Sequence, residues 1–481
     1  MSSLKAQTIK GTKWNFLERI SVQGMQFVLG IILARFLLPS DFGSVGVLAI
    51  FFAVSQAFID GGFSSALIQK KNAAEKDYCT VFYFNIVASL IFYAILFVAA
   101  PYVALFFRIE ILSDVLRVQS ITLIVNAMMS VPVAILNINL DFKSLAKRNI
   151  CATSLSGLCG ILLAYLGYGI WALVFQQVVA SVINFIFILI VCRWRPKLQF
   201  SVQSFKSLGA FGSRLLFSSL LHTLYTNMTS IAIGKFYSAK DLGYYSRGVQ
   251  FAHAPNSAIN GVLQTVSYPI FSKIQDDKNR LISAYRKYIR ISSLVIFPIS
   301  GLLCALAKPI IILFLTDRWI ESVPYLHIFA FSCMFMHLNT INLSLLKVTG
   351  RSDLYLKLEI IKKSIAITLL FLAIPFGVIA ICFSELVYTQ IAVYLNTYYT
   401  GKLFHLGYIQ QVKDILPYFC CVVLACGPVY FFTFLDLPNV LIIFLGIVFA
   451  MAIYYLLLRK NEDMKEVVLI VKKQIMGDAV K

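Results

Sequence analysis

Apolar runs of about 20 residues follow one another along the whole chain, and they restrict its fold more than any other feature. A helix of that length crosses the ~30 Å of hydrocarbon in a bilayer and satisfies its own backbone groups there. With 59% hydrophobic and 13% charged residues, the composition is far from that of a soluble domain, in which about a quarter of residues are charged. We therefore predict an all-α, polytopic membrane protein with about 14 transmembrane helices. The predicted spans are residues 14–38, 43–67, 79–106, 115–138, 150–167, 170–192, 209–234, 242–270, 289–315, 322–346, 357–374, 377–400, 414–435 and 438–458.

Lysine and arginine are concentrated after every second apolar run. Lys70 and Lys76 follow the second run, and Arg193 and Arg195 follow the sixth, whereas the turn at residues 167–169 carries neither. By the positive-inside rule, the basic clusters lie in the cytoplasm together with both chain ends. A net charge of +20 would also suit a nucleic-acid-binding protein. Because the basic residues form short clusters between apolar runs, we expect no nucleic acid partner.

The loops leave no room for a soluble catalytic module. The outer turns are a few residues long, and the longest cytoplasmic loop, residues 273–290, is about one amphipathic helix. The ten cysteines show neither a CxxC motif nor the Cys/His spacing of a metal site. The sequence therefore predicts a protein that is not an enzyme and that has no catalytic residues, metal site or cofactor.

An internal duplication relates a segment that begins at Ile31 to one that begins 200 residues later. The identical pairs are Ile31 and Ile231, Phe36 and Phe236, Asp41 and Asp241, Gly43 and Gly243, Phe51 and Phe251, Ile59 and Ile259, and Gly61 and Gly261. A repeat of this kind predicts two copies of one structural unit. Each copy holds six spans, an even number, so both have the same orientation in the membrane. We predict two parallel six-helix lobes around a central cleft, at residues 1–200 and 201–402, followed by two extra helices and a tail at residues 403–481.

Several segments resemble those of the Wzx-type polysaccharide flippases, which belong to the multidrug/oligosaccharidyl-lipid/polysaccharide exporter superfamily. They are FLLPSDFGSVGV, LNINLDFKSLAKRNI, IGKFYSAKDLGYYSRG and LLKVTGRSDLYLKLEIIKK. The resemblance implies a flippase of the bacterial inner membrane that serves lipopolysaccharide or exopolysaccharide synthesis. Its cargo would be an undecaprenyl-diphosphate-linked oligosaccharide, moved by alternating access through the cleft. Membrane lipids, a polysaccharide polymerase and a chain-length regulator are the implied partners.

Arginines inside the spans are candidates for binding the diphosphate. A guanidinium stays charged and binds oxyanions through two parallel hydrogen bonds. A charge at mid-membrane costs about 2.5–3.5 kcal/mol, so it is expected to face a cavity or a partner. Arg19 lies in the first span, and Arg214 and Arg247 lie in the first two spans of the second lobe; the resemblance implies that these helices line the cleft. Alternatively, Arg19 and Arg214 extend from near the helix ends to the membrane interface.

Two carboxylates and two histidines inside the spans are candidates for coupling transport to an ion. Glu18 lies next to the first arginine, and Asp60 precedes two glycines. Asp60 could bind a cation or proton, pair with a basic residue, or stabilise a break in the helix. His222 and His253, in spans of the second lobe, are each either a hydrogen-bonded buried side chain or a proton-coupling group.

Uncharged polar side chains of the second lobe are candidates for contacts with sugars. Asn227, Asn256 and Asn260 carry amides that could bind sugar hydroxyls. The same amides could instead hydrogen-bond neighbouring helices. Tyr244 and Tyr245 lie beside the last of the candidate arginines and could stack on a sugar ring.

Two other functions are compatible with parts of the sequence. A cation-coupled multidrug or metabolite exporter of the same fold would favour an acidic cavity, whereas arginines outnumber acids on the predicted cleft helices. A membrane polysaccharide polymerase or ligase would present a sizeable external loop, and the outer turns here are short. The sequence therefore favours the flippase.

Overall fold

The computed structural model describes residues 2–70 and 73–469, except for the side chains of residues 2–10, 12, 214, 258, 262, 264–266, 268, 269 and 352. Throughout these residues the regular secondary structure is helical, and they contain no β-strand. The chain forms two compact units, Met1–Gly243 and Tyr244–Lys481.

Ten helices begin in the first unit, and the last of them continues into the second. They are α1 (Ser2–Phe36), α2 (Pro39–Asp60), α3 (Phe63–Gln69), α4 (Glu75–Phe107), α5 (Leu112–Gln119), α6 (Ile121–Ile138), α7 (Phe142–Tyr165), α8 (Ile170–Val191), α9 (Val202–Phe236) and α10 (Ala239–Lys273). The most extensive packing joins α7 to α8 and to α1, and α2 to α9. Gly157 of α7 lies against Leu29 of α1, so these two helices approach closely.

The second unit is organised around α11. Its helices are α11 (Lys278–Ala305), α12 (Ala307–Leu315), α13 (Val323–Val348), α14 (Ser352–Ala373), α15 (Val378–Phe404), α16 (Tyr408–Phe432) and α17 (Asn439–Leu458), with short 3₁₀ turns before α13 and α15. A further helical segment, the tail helix, occupies residues 462–469. α11 packs on α13 and α16, and Phe297 of α11 shares one core with Val422 of α16 and Ile442 of α17.

The predicted all-α, polytopic fold is confirmed. Ten of the described helical segments are long and apolar enough to cross a membrane. Four further helices in the predicted positions, α7, α9, α10 and α14, are 22 to 35 residues long and more polar. The apolar runs of the sequence therefore predict where these long helices lie along the chain.

Three of the predicted spans are not continuous helices. The run at residues 115–138 is divided at Ser120, with α5 ending at Gln119 and α6 beginning at Ile121. The run at residues 43–67 is divided, because α2 ends at Asp60 and both Gly61 and Gly62 have positive φ, at 52° and 73°. Residues in that left-handed region end a right-handed helix, and glycine adopts it at little cost. The run at residues 289–315 is likewise divided, with α11 ending at Ala305 and α12 beginning at Ala307.

The helix boundaries follow the 200-residue repeat. α1 ends at Phe36 and α9 at Phe236, and α2 begins at Pro39 and α10 at Ala239. The repeated aspartate has the same role in both copies. Asp41 accepts a hydrogen bond from the backbone N–H of Leu38 at 2.9 Å, and Asp241 accepts one from the Ser238 hydroxyl at 2.5 Å. An acid in the first turn stabilises a helix start in this way.

Gly43 and Gly243 bring the starts of α2 and α10 into backbone contact within the first unit. A Cβ on Gly43 would overlap the carbonyl of Ala239, and a Cβ on Gly243 would overlap the carbonyl of Pro39. The contact is reciprocal, because the same two repeat positions meet each other twice. Any side chain at either glycine would force the helix starts apart.

Candidate functional site

A polar cleft of about 920 Å³ lies in the first unit and is lined by α2, α3, α6, α7 and α9. Its polar lining residues are Gln56, Asp60, Ser64, Ser65, Asn126, Ser130, Asn137, Arg148, Ser218, Ser219 and His222. The volume lies in the range of ligand-binding pockets. Hydroxyls and amides make up most of the polar groups in the lining, beside apolar side chains such as Ile68, Met129 and Leu215. Such polar groups suit the hydroxyl-rich surface of a sugar.

α9 forms one wall of the polar cleft through residues spaced along a single helix face. Leu215, Ser218, Ser219 and His222 all line the cleft, and positions i, i+3, i+4 and i+7 share one face of an α-helix. The helix is held close to the break after α2, because a Cβ on Gly62 would lie 2.6 Å from the carbonyl oxygen of Gly212. The glycine break therefore lets α9 approach α3 and places its polar face in the cleft.

Arg148 supplies the cleft with a positive charge. It lies in the second turn of α7, a helix that begins where Asp141 accepts hydrogen bonds from the Ser144 N–H at 3.2 Å and the Ser144 hydroxyl at 2.6 Å. Its Nε and Nη2 donate to Oδ1 of Asn149 at 3.0 and 2.8 Å. Among the described side chains no carboxylate lies within ion-pair distance of it, and no other arginine or lysine lines the cleft. Glu18 of α1 acts on it electrostatically without forming an ion pair, so an entering anion would meet a guanidinium that has no direct acidic partner among the described residues.

The two carboxylates predicted from the sequence lie close to this region. Asp60 lines the cleft at the end of α2 and accepts a hydrogen bond from the hydroxyl of Ser64, so it joins α2 to α3 across the glycine break. Glu18 of α1 accepts a hydrogen bond from Nδ2 of Asn149. Both acids are therefore bound by uncharged groups.

Three amides of the cleft have free hydrogen-bonding capacity. Oε1 of Gln56 is buried and has no partner among the described residues. The side chains of Asn126 and Asn137 likewise have no hydrogen bond within the described part of the chain, although both line the cleft. Polar groups buried in a protein are normally hydrogen-bonded, so these amides are available to a polar ligand.

The predicted arginines whose side chains are described, Arg19 and Arg247, do not line the polar cleft. Arg19 is exposed on α1 and is not among the cleft residues. The side chain of Arg214 lies outside the described residues. Arg247 belongs to the second unit, where its Nη1 donates to Oε1 of Gln250.

The two tyrosines that were predicted to stack on a sugar ring pack against other aromatic side chains of the second unit. Tyr244 packs edge-on against Trp319, with ring centroids 6.1 Å apart. Tyr245 packs in the same way against Tyr325 and Phe329, at 6.3 and 5.7 Å. Both rings therefore contribute to the packing of α10 on its neighbours.

Two of the three predicted asparagines form local or interhelical hydrogen bonds. Asn227 donates to the carbonyl of Thr223 in its own helix at 2.9 Å. Asn256 is buried and donates to the hydroxyl of Ser300 at 3.2 Å. Asn260 has a buried Oδ1 without a partner among the described residues.

Arg148 is the cleft residue that the sequence analysis missed. It precedes the predicted span at residues 150–167 and follows the fourth apolar run, where the positive-inside rule predicts a cytoplasmic loop. A signal for its true position is present in the sequence. Asp141 three residues before Ser144 is a typical helix N-cap pattern, and it would have extended the helix to include Arg148.

A membrane-spanning helical bundle with an open polar cleft is the architecture of a multi-pass transporter. Over residues 32–324 the chain matches the profile of a family described as polysaccharide biosynthesis protein, and it belongs to that family. This match confirms the family resemblance of the segments quoted from the sequence.

Curated relatives bear consistent names. The chain is 28% identical over 356 residues to the teichuronic acid biosynthesis protein TuaB of Bacillus subtilis, which covers 74% of each chain. It is 27% identical over 332 residues to the succinoglycan biosynthesis transport protein ExoT of Rhizobium meliloti, which covers 69% of this chain and 67% of that one. These relatives connect the family to polysaccharide synthesis and transport.

Solved structures share the fold. The inward closed conformation of the lipid II flippase MurJ matches with a TM-score of 0.74 at 16% identity, over 94% of this chain and 99% of that one. An inward-facing multidrug resistance MATE family transporter of the MOP superfamily matches with a TM-score of 0.62 at 14% identity, over 81% of this chain and 98% of that one. The protein therefore has the all-helical fold of that superfamily.

Proposed function

We propose that the protein is a flippase that moves undecaprenyl-diphosphate-linked oligosaccharide repeat units across the bacterial inner membrane for surface polysaccharide synthesis. The diphosphate would bind Arg148, and the sugars would meet the hydroxyls and amides of the polar cleft. The prenyl chain would stay in the lipid, because burying it in a polar cleft would cost its favourable contact with hydrocarbon.

One observation supports this proposal above the others. Arg148 lines the polar cleft, and its described hydrogen-bond partner is the neutral amide of Asn149. A diphosphate dragged through a membrane needs a cation, and an unneutralised arginine offers a bidentate one. The names of TuaB, ExoT and MurJ agree with a polysaccharide or lipid-linked cargo.

Replacing Arg148 tests the proposal. In cells whose chromosomal copy is Arg148→Ala, we expect surface polysaccharide to fall by about tenfold or more, because a lost charge-assisted hydrogen bond is worth roughly 1.5–3 kcal/mol. Lipid-linked oligosaccharide should accumulate in the inner leaflet, where it stays accessible to enzymes in inverted vesicles. Both quantities are measured by lipid extraction and sugar analysis, with the amount of protein in the membrane as reference.

Lys147→Ala is the matched control. Lys147 is the preceding residue of α7, also basic, but it is exposed and does not line the cleft. We expect it to leave both quantities unchanged. Normal polysaccharide in Arg148→Ala would remove Arg148 from the site, and an unchanged lipid-linked pool after deletion of the whole gene would contradict the proposed cargo.

A further inference from the structure

Asn149 lies between a cation and an anion that come from different helices. Its Oδ1 accepts two hydrogen bonds from Arg148, at 3.0 and 2.8 Å, and its Nδ2 donates to Glu18 of α1. A guanidinium can only donate and a carboxylate can only accept. The orientation of the amide is therefore determined by its two neighbours.

α1, which carries Glu18, and α7, which carries Arg148 and Asn149, pack closely along their length. Gly157 of α7 lies against Leu29 of α1, and the Ser154 hydroxyl lies 3.9 Å from the sulfur of Met25. α1 and α7 therefore keep Glu18 near Arg148 whatever residue occupies position 149. Without an intervening group, the carboxylate and the guanidinium would attract each other into an ion pair.

We propose that Asn149 is a positioning residue that keeps Arg148 available to the substrate by separating it from Glu18. The amide holds the guanidinium in one orientation through a bidentate contact and occupies the carboxylate with its N–H group. Glu18 then acts on Arg148 only across the amide, and the N–H groups of the guanidinium that do not contact Asn149 can bind an incoming diphosphate. This inference rests on the proposed function, since it takes a diphosphate as the ligand.

Asparagine has the chemistry that this role requires. Alanine would remove all three hydrogen bonds of the amide and allow Glu18 to reach Arg148. Aspartate has nearly the same shape, but it would place a carboxylate directly on the guanidinium and could not donate to Glu18. The two substitutions therefore neutralise Arg148 by different routes.

The test measures binding of undecaprenyl diphosphate to the full-length protein in lipid nanodiscs by native mass spectrometry. We expect Asn149→Ala to weaken binding about tenfold, because Glu18 then captures Arg148. Glu18→Gln alone should bind at least as well as the native protein. The double variant Asn149→Ala with Glu18→Gln should recover most of the lost affinity, and the non-additivity of the pair measures the coupling.

Asn149→Asp provides a second variant, which should also bind undecaprenyl diphosphate more weakly. Adding Glu18→Gln should not restore its affinity. Undecaprenol, which lacks the diphosphate, should bind all variants alike, and thermal unfolding identifies any variant that is misfolded. If Asn149→Ala bound undecaprenyl diphosphate equally weakly with and without Glu18→Gln, the inference would be overturned, and Asn149 would have only a structural role. If Arg148→Ala bound undecaprenyl diphosphate as well as the native protein, the proposed function of the cleft would fail instead.

Discussion

Arg148 and Asp60 carry opposite charges in the polar cleft, and each is bound by a neutral neighbour. Asn149 contacts Arg148, and Ser64 donates to Asp60. Neither charge is cancelled by a described ion pair, so both are available to a ligand. In a low-dielectric setting such charges act strongly on whatever enters. At the residue scale, the site is thus defined as much by the neutral partners as by the charged groups.

The reciprocal glycine contact can be tested at the same scale. We expect Gly43→Ala to lower the free energy of unfolding by about 1–3 kcal/mol, because a Cβ there overlaps the carbonyl of Ala239 and the helix starts must separate. The measurement is thermal or denaturant unfolding of the purified protein in detergent.

Gly24→Ala is the control for this prediction. Gly24 also lies inside a helix, α1, but a Cβ there would meet nothing within 4 Å. Alanine is the better helix former by about 1 kcal/mol, so stability should be unchanged or higher. Equal loss in both variants would show that the contact at Gly43 has no special role.

The candidate site could be predicted only in part. Of the in-span candidates, Asp60 and His222 line the cleft, and their roles there stay predictions. Arg148 was missed because hydropathy places a helix boundary where polar residues begin, whereas the cap at Asp141 places it earlier. Which face of a helix meets a cavity depends on packing between distant segments, and no local pattern encodes that.

α11 carries the main electrostatic contacts of the second unit at the scale of helices. Its basic residues Arg286, Lys287 and Arg290 pair with Asp414 of α16 and with Glu466 and Asp463 of the tail helix. The Asp463 carboxylate also accepts a hydrogen bond from the buried Tyr418 at 2.6 Å. These three basic residues belong to the cluster that the positive-inside rule assigns to the cytoplasm, and they also bind α16 and the tail helix to α11.

The Arg286–Asp414 pair should contribute measurably to stability. Its two hydrogen bonds are 2.8 and 2.6 Å long, and the Asp414 side chain is only 7% exposed. Since the Arg286 side chain is 43% exposed, we expect Asp414→Asn to cost about 1–2 kcal/mol rather than the full penalty of a broken buried pair. Detergent-solubilised thermal unfolding gives the measurement.

Asp353→Asn is the matched comparison, because Arg351 also binds Asp353 through two hydrogen bonds, at 3.1 and 3.0 Å. Both partners there are exposed, and solvent screens such pairs. We expect no measurable change in unfolding temperature. A loss as large as that of Asp414→Asn would mean that burial does not govern these pairs.

Helix positions were predictable because a run of apolar residues is a local property. The breaks within three of the runs were not predictable, since residues such as Gly61 and Gly62 could equally have stayed helical. Their positive φ values accompany the close approach of Gly212, a contact made by a residue 150 positions away along the chain. The positions of the helices can therefore be predicted from the sequence, whereas the breaks within them depend on tertiary packing.

The topology of the whole molecule can be tested with single cysteines. Tyr168 lies in the turn between α7 and α8 and is 56% exposed, and Leu198 lies in the segment between α8 and α9 and is 93% exposed. We propose that the first site faces the periplasm and the second the cytoplasm, because basic residues surround only the second.

A maleimide that cannot cross the inner membrane should label Tyr168→Cys in intact cells. Leu198→Cys should be labelled only after the membrane is permeabilised. Labelling is read as the increase over the native protein, whose own cysteines set the background. The reverse pattern would invert the proposed orientation, including the cytoplasmic position of both termini.

The reciprocal contact between Gly43 with Ala239 and Gly243 with Pro39 has the form of an isologous interface, in which one surface meets a copy of itself. Such a surface is self-complementary, as in a twofold symmetric dimer, although here both of its halves belong to one chain. Elsewhere the two repeated segments differ in charge, with Val47 in the first and Arg247 at the same position of the second.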